Sequence, residues 1–408
     1  MRSSEAGGGS HRSANIGADG LLVRVDDDGL GGAVHLECAE SNNEAAWTDN
    51  PCSRRRASRP RSRLRNRPLA PTMPSMRAIQ ISQPNGPFEL VHREIPTPGT
   101  RWVRVKVEAC GVCHSDAFVR GGGFPGLVFP RVPGHEIAGR IDALGSEVTA
   151  WKVGDRVGVG WHGGHCFECD ACRRGLFINC PNGKITGISH DGGYAEYVVV
   201  PSESVARIPE GLSAVDAGPL LCAGVTTYNA LRNSGARPGS LVAVQGIGGL
   251  GHLAIQYAAR MGFRTVAISR GADKAALARE LGAHEYIDTA VTSAADGLRQ
   301  LGGADLVLAT APSSAAMEGT VGGLKARGKL LIVAAAFEPM KVSTMMLLSG
   351  KSIAGWPSGS AIDSEDTMAF SALTNVRPRV ETFPLERAEE AFASMMEGRA
   401  RFRAVLVP

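Results

Sequence analysis

The sequence predicts an α/β protein in two parts, a mainly β lobe and a doubly wound parallel sheet. Three observations carry this. Between Trp102 and Ala109, Val103, Val105 and Val107 alternate with Arg104, Lys106 and Glu108, the pattern of a half-buried strand. From Leu241 onward, apolar runs of strand length alternate with helical stretches. The glycine-rich stretch Gly246–Gly251 joins the first of those runs to its helix. The 408 residues leave room for two or three domains, and 43% hydrophobic with 21% charged residues is ordinary globular composition. Forty-four basic against forty acidic residues give a net charge of +4, so no nucleic-acid partner is expected for the protein as a whole. No apolar run reaches the roughly 18–20 residues of a membrane span, so no membrane partner is expected either. The nine cysteines are odd in number and clustered. This argues for thiol or metal chemistry in a reducing, cytoplasmic setting rather than a secreted disulfide framework.

Taken in order, residues 1–75 differ from the rest. They hold a Gly/Ser patch at 7–10, an acidic run at Asp26–Asp28, and the arginines 54, 55, 56, 59, 61, 63, 65 and 67. No apolar period of strand or helix persists there, so the stretch is expected to be disordered. A basic arm or a targeting segment is the functional alternative. The reading taken is a nonfunctional extension, with Met76 as the working start. Order begins at Met76–Ile79, and short strands with Gly/Pro turns continue to about Pro201. Leu241–Gln245 is a strand, residues 250–261 an apolar helix, and Thr265–Ser269 a second strand. Asp273 is placed to cap a helix running through Leu281. Ala304–Ala309 and 329–335 are further buried strands. Leu385, Ala388, Phe392 and Met395 recur at helical spacing, and 401–407 is a closing strand.

Cys166, Cys169, Cys172 and Cys180 have the spacing C-x2-C-x2-C-x7-C. Four thiolates from one short lobe suit a tetrahedral structural zinc, which replaces the core so short a segment cannot build. An iron–sulfur cluster and free thiols are the alternatives. A second set is dispersed: Cys113 within Cys110-Gly-Val-Cys-His-Ser-Asp116, His135 within Gly134-His-Glu136, and Cys222 within Leu221-Cys-Ala-Gly-Val-Thr226. Singly, each is as well explained by core packing. Together, two thiolates and an imidazole leave a tetrahedral ion one position for water or substrate, as catalytic zinc does.

With these motifs the chain from Met76 to Pro408 resembles the zinc-dependent alcohol dehydrogenases of the medium-chain dehydrogenase/reductase superfamily. The resemblance rests on Gly-His-Glu-x2-Gly-x5-Gly over 134–145, the four-cysteine lobe and the turn at Gly246. It implies a GroES-like catalytic domain joined to a Rossmann domain. It implies Cys113, His135 and Cys222 as catalytic-zinc ligands, Glu136 as a carboxylate that can approach the metal, and Asp116 as the group fixing the His135 tautomer. Cys222, rather than a Glu, favours the alcohol and cinnamyl-alcohol branches over the polyol branch. Ser115 would bond the substrate oxygen and relay its proton, His114 would meet the pyrophosphate, and Thr226 the nicotinamide. Many relatives carry a histidine three residues after this serine; here it is Phe118. Cys110 forms a Cys-x2-Cys pair with Cys113 and is read as a buried structural thiol, with a redox pair as the alternative.

Gly246, Gly248, Gly249, Leu250 and Gly251 form a G-x-G-x-x-G turn between strand and helix. Its glycines admit a pyrophosphate to the helix N-terminus. An NAD site would place Asp or Glu at the end of the second strand. Here Ser269 and Arg270 stand there, with Lys274 beyond, which favours a 2′-phosphate and NADP(H), with NAD(H) as the alternative. Trp161, Phe124, Phe129 and Trp356 are expected to line an apolar substrate pocket.

The expected domains are 76–222 and 356–408 for the catalytic part and 223–355 for the dinucleotide part. Two zinc ions per chain are expected. The expected reaction is reversible hydride transfer between NADP(H) and a small-molecule alcohol or aldehyde. The alternatives are a non-catalytic cofactor-binding relative and a quinone or enone reductase on the same fold. By resemblance the chain would be a homo-oligomer, a dimer or tetramer.

Overall fold

The structure is a computed structural model that describes residues 74–408; the reading of 1–75 lies outside the described residues except at its last two positions. Ser75–Gln80 and Glu89–Glu94 form an antiparallel pair. The first lobe is built on a seven-stranded mixed sheet. Its spine is Trp102–Gly111, longer than the sequence pattern suggested, paired with Ile137–Leu144 on one side and Tyr197–Pro201 on the other. Arg156–Val159 and Val205–Arg207 extend it. The valines at 103, 105 and 107 are all buried, as the alternation requires.

The second sheet has six strands, all parallel. Their order is Glu285–Asp288, Arg264–Ser269, Leu241–Gln245, Ala304–Ala309, Leu324–Ile332, Ser352–Gly355. Counted along the chain this is 3-2-1-4-5-6, the doubly wound order, whose switch point lies beside Leu241–Gln245. Leu241–Gln245 and Ala304–Ala309 have the bounds expected from sequence. Leu324–Ile332 begins earlier and ends earlier than 329–335, because pairing with 304 starts at Leu324 and is interrupted by a register shift before Lys329. The closing strand starts at Arg403, not 401.

Asp273 does not cap the following helix. It lies inside a 3-10 turn, Ala272–Lys274, and the α-helix Ala275–Glu280 begins one turn later, with Lys274 as its cap residue. Gly271, at φ 94°, turns the chain before a side-chain cap can form.

The C-terminal segment returns to the first lobe. Arg403–Val407 pairs with the spine at Gly111 and Cys110, and with Val380–Pro384. Leu385, Ala388, Phe392 and Met395 share one core with Val103, Val105 and Ile137. The helix Ala361–Thr374 packs elsewhere: Met368 joins Leu220, Leu253 and Tyr257 in the core under the parallel sheet.

Between these parts runs a seam made by the helix Gly251–Arg260, which follows the glycine-rich turn. His252 and Gln256 sit one turn apart on the same face. Gln256 Nε2 donates to Arg377 O at 3.0 Å, and Arg377 N donates to Gln256 Oε1 at 3.3 Å. Arg379 N donates to His252 Nε2 at 3.3 Å. Burial holds the His252 imidazole down to about 4, with nearby Arg379 adding to the effect and hydrogen bonds from the turn opposing it. Below its unfolded value near 6.5 the folded chain therefore binds fewer protons than the unfolded chain, and stability falls as pH drops from 6.5 toward 4. At pH 5 this amounts to about 2 kcal/mol. Urea midpoints at pH 7 and pH 5 should show a drop for the wild type that is smaller by about this amount in His252→Asn. Equal drops in both proteins would contradict the assignment.

Candidate active site

Gly111 ends the spine strand, and Cys113 follows it at the mouth of the helix Ser115–Arg120. His135 and Glu136 precede the paired strand Ile137–Leu144. A side chain at 111 would overlap the Glu136 carboxylate, so glycine there is a condition of the close approach. Cys222 comes from a different place, a π-helical turn over Leu220–Gly224, a form that often marks functional positions. One donor atom each from Cys113, His135, Glu136 and Cys222 lies within 4.8 Å of the others.

This cluster suits a divalent metal. The Cys113 and Cys222 sulfurs are 3.8 Å apart. A tetrahedron with metal–sulfur bonds of about 2.3 Å has edges of about 3.8 Å. His135 Nε2 and Glu136 Oε2 are buried without a hydrogen-bond partner. Its electrostatics are shaped from behind. Asp116 is fully buried, with Oδ1 3.3 Å from His135 Nδ1. Its Oδ2 accepts from Cys113 N and from the Tyr194 hydroxyl, each at 2.9 Å. Burial would lower the His135 imidazole, but the charges of Asp116 and Cys113 outweigh it and push it up to about 10. Its hydrogen bond with Cys222 pulls the Cys113 thiol well below the usual range, against burial and with help from His135 and Arg403. Cys110, by contrast, is fully buried, and burial pushes its thiol up.

Two residues of this site went unread in the sequence. Tyr194 is one. Arg403 is the other: it is 6% exposed and its guanidinium pairs with Glu136. The one signal for it was an arginine opening an otherwise apolar buried strand.

The four lobe cysteines also converge. The sulfur pairs Cys166–Cys180, Cys169–Cys180 and Cys166–Cys172 are 3.5, 3.7 and 4.0 Å apart. These are tetrahedral edges rather than disulfide lengths, and no disulfide joins the cysteines of the described residues. Backbone N–H groups at Glu168 and Cys169 hold the Cys166 thiol down to about 6, while Cys172 is pushed up to about 12, chiefly by burial.

The glycine-rich turn leaves the parallel sheet at Gly246, whose φ of 100° suits glycine, and Leu250 is the cap position of the helix Gly251–Arg260. Open space surrounds the position a Cβ would take at Gly248, while one at Gly249 would meet the Arg403 guanidinium and one at Gly251 the Gly246 carbonyl. Arg403 thus lies between the metal-type cluster and this turn, and its Nε is buried without a partner. A buried cation beside open N–H groups fits a dinucleotide pyrophosphate.

Ser269 ends its strand with its hydroxyl 3.5 Å from Lys274 Nζ, and Arg270 is exposed. Two carboxylates are closer than the sequence suggested. Asp288 accepts from Gly271 N at 2.8 Å, and Asp273 folds back toward Gly271. Thr226 is buried, with its hydroxyl donating to Ser358 Oγ at 3.1 Å. His114 is exposed and Ser115 half-buried at the start of their helix.

Aromatic rings run outward from the cluster. Trp161 stands edge-on to His135 at 4.9 Å, Phe124 meets Trp161 at 5.7 Å, Phe118 meets Phe124 at 6.1 Å, and Phe337 meets Phe118 at 5.5 Å between centroids. Phe129 packs in the same group as Phe124 and Trp161. Trp356 is half-buried against a different cluster, which holds Leu220, Leu221 and Ala223 on either side of Cys222. Its backbone N–H donates to Ile332 O at 3.0 Å.

Residues 99–210 match the alcohol dehydrogenase GroES-like domain, and residues 249–373 match the zinc-binding dehydrogenase domain. The chain is 48% identical over 344 residues to alcohol dehydrogenase patD of Penicillium expansum, covering 83% of this chain and 99% of that one. It is 39% identical over 334 residues to an alcohol dehydrogenase of Geobacillus stearothermophilus, covering 81% and 98%. Among solved structures, an NAD-dependent alcohol dehydrogenase matches with a TM-score of 0.76 at 30% identity, over 82% of this chain and 100% of that one. The Helicobacter pylori CAD complexed with NADP(H) matches with a TM-score of 0.73 at 26% identity, over 82% and 98%. No helix among the described residues is long and apolar enough to cross a membrane.

Proposed function

This chain belongs to the zinc-binding alcohol dehydrogenases of the medium-chain dehydrogenase/reductase superfamily, and on that premise we propose that it interconverts a primary alcohol and its aldehyde with NADP(H). The observation that carries the reading is the buried convergence of Cys113, His135, Glu136 and Cys222 beside the glycine-rich turn. Cys113, His135 and Cys222 would hold the catalytic zinc, and Cys166, Cys169, Cys172 and Cys180 a second, structural one. A zinc bound there would polarise a substrate oxygen, and a bound nicotinamide would exchange a hydride with the carbinol carbon.

The chain's own residues have distinct tasks. Asp116 holds His135 in the tautomer that leaves Nε2 free for the metal. Arg403 balances the buried Glu136 carboxylate, where an unpaired charge would be costly. Ser115 Oγ takes the proton from the substrate oxygen. Phe118 offers no acceptor three residues on, so the proton leaves Ser115 toward solvent rather than through an imidazole. The rings of Trp161, Phe124 and Phe118 exclude water and favour apolar or aromatic substrates. His114 and Thr226 would contact the cofactor.

Ser269, Arg270 and Lys274 support NADP(H): a hydroxyl and an ammonium stand where an NAD site has a carboxylate. Assembly as a homo-oligomer belongs to the same reading. Ser352–Gly355 is the last strand of its sheet, and Met345 and Leu348 in the segment before it are 72% and 75% exposed. Initial rates with NADPH and NADH on zinc-replete protein, over a panel of aldehydes, test the proposal. NADPH should be preferred by at least about tenfold in kcat/KM, and Lys274→Ala should remove most of that preference. Rates favouring NADH would overturn the 2′-phosphate assignment, and no turnover with either cofactor would overturn the dehydrogenase reading.

A further inference from the structure

We infer that His252 is a positioning residue that fixes the Gly248–Gly249 peptide for the dinucleotide phosphates. The inference rests on the proposed reading of Gly246–Gly251 as the cofactor turn. His252 is fully buried in the first turn of the helix Gly251–Arg260. Its Nδ1 is 3.0 Å from Gly248 O, and its Nε2 accepts from Arg379 N at 3.3 Å. A carbonyl only accepts, so Nδ1 must carry the proton; a backbone N–H only donates, so Nε2 must be bare. Both bonds select the same neutral tautomer. The ring stacks on Phe402, with centroids 4.8 Å apart and planes at 23°.

The consequence lies in the next peptide. Gly248 and Gly249 are consecutive, and neither carries a Cβ that would oppose a flip of the peptide between them. A trans peptide points its C=O and N–H in opposite directions. Gly248 O is held toward the helix by the backbone N–H of His252 at 3.0 Å and by its ring. The Gly249 N–H is thereby turned away from the helix, the direction from which an anion reaches a helix N-terminus. A backbone hydrogen bond alone, at a helix end, is easily frayed. The imidazole adds a second donor anchored by the tertiary fold.

The anchor also reaches the metal-type cluster. Arg379 O accepts from Arg403 N at 3.0 Å, and the Arg403 side chain pairs with Glu136, next to His135. The peptide that faces the phosphates and the carboxylate behind the catalytic ligands are therefore joined through His252, Arg379 and Arg403. Movement of the turn is opposed by the lobe that holds the metal.

Two variants separate the donor from the acceptor. The amide of His252→Asn stands close to the Nδ1 position and can donate to Gly248 O. The amide of His252→Gln reaches the Nε2 position and can meet Arg379 N. Dinucleotide affinity is measured without substrate, by NADPH fluorescence titration of zinc-loaded full-length protein, with thermal midpoint and kinetics in parallel. His252→Asn should bind NADPH within about threefold of wild type. His252→Gln should bind about five- to tenfold more weakly, as expected for one lost oriented hydrogen bond. The KM for NADPH should rise in step, with kcat at saturation changed less than about twofold, even if the two variants melt at the same temperature. Equal affinities for the Asn and Gln variants, or affinity that tracks only the thermal midpoint, would overturn the positioning role while leaving the dehydrogenase reading intact. Failure of the wild type to bind NADPH or NADH would instead remove the cofactor reading, and this inference with it.

Discussion

Cys222→Ala is expected to lower kcat/KM for aldehyde reduction by three to four orders of magnitude while leaving dinucleotide affinity within about threefold of wild type. Lewis-acid stabilisation of charge on a reacting oxygen contributes several kcal/mol, and about 1.4 kcal/mol is a factor of ten in rate. Cys222 is the member of the cluster least dependent on the first lobe. It stands on the π-helical turn Leu220–Gly224, between the helices Ala214–Pro219 and Val225–Arg232, whereas Cys113, His135 and Glu136 all flank the paired strands Trp102–Gly111 and Ile137–Leu144. Removing its sulfur takes one corner from the cluster without touching Asp116, Arg403 or the glycine-rich turn. Alanine also fits a half-buried position on a helical turn, so the fold should hold. Metal analysis should show about one zinc per chain instead of about two. A loss of less than tenfold, with metal content unchanged, would mean that the reaction does not run at this cluster.

What was legible in the sequence followed from local signals. Leu241–Gln245 and Ala304–Ala309 were found at their true bounds because a parallel strand buried on both faces reads as a short apolar run between turns. The lobe cysteines were found by spacing alone. The dispersed cluster was legible only through resemblance, since no local pattern ties Cys113 to Cys222 across 109 positions. Arg403 and Tyr194 were missed for the same reason in a sharper form. Arg403 meets Glu136 across 267 positions, and Tyr194 meets Asp116 across 78. Nothing around Tyr194 sets it apart from a core tyrosine, and the one mark on Arg403 is its place at the head of an apolar strand, which names no partner. Asp273 was misread because its position suited a cap while Gly271 had already turned the chain.

Cys172→Ser should produce the opposite phenotype to Cys222→Ala: a stability loss of more than about 3 kcal/mol, with turnover at low temperature largely kept by the molecules that remain folded. The lobe from Cys166 to Cys180 contains only the short helix Asp170–Arg173 and the 3-10 turn Phe177–Asn179. Its buried residues are Cys172 and Cys180, while Phe167 and Leu176 are 46% and 52% exposed. Such a segment buries too little apolar surface to offset the entropy of ordering it, so its order must come from a cross-link. The sulfur–sulfur distances are too long for a disulfide and fit the edges of a tetrahedral metal site. With one sulfur replaced, the segment at the already exposed Arg173 and Arg174 should lose its order, and limited trypsin digestion should cut there faster in the variant than in the wild type. One zinc per chain should again be lost, but this time with a lower thermal midpoint and faster cleavage, and without the loss of catalytic rate per folded molecule. A variant that keeps both its metal content and the wild-type rate of trypsin cleavage would show that packing alone orders the lobe. The paired result separates the two clusters by role, because each substitution removes one sulfur and one metal, and only the position of the sulfur differs.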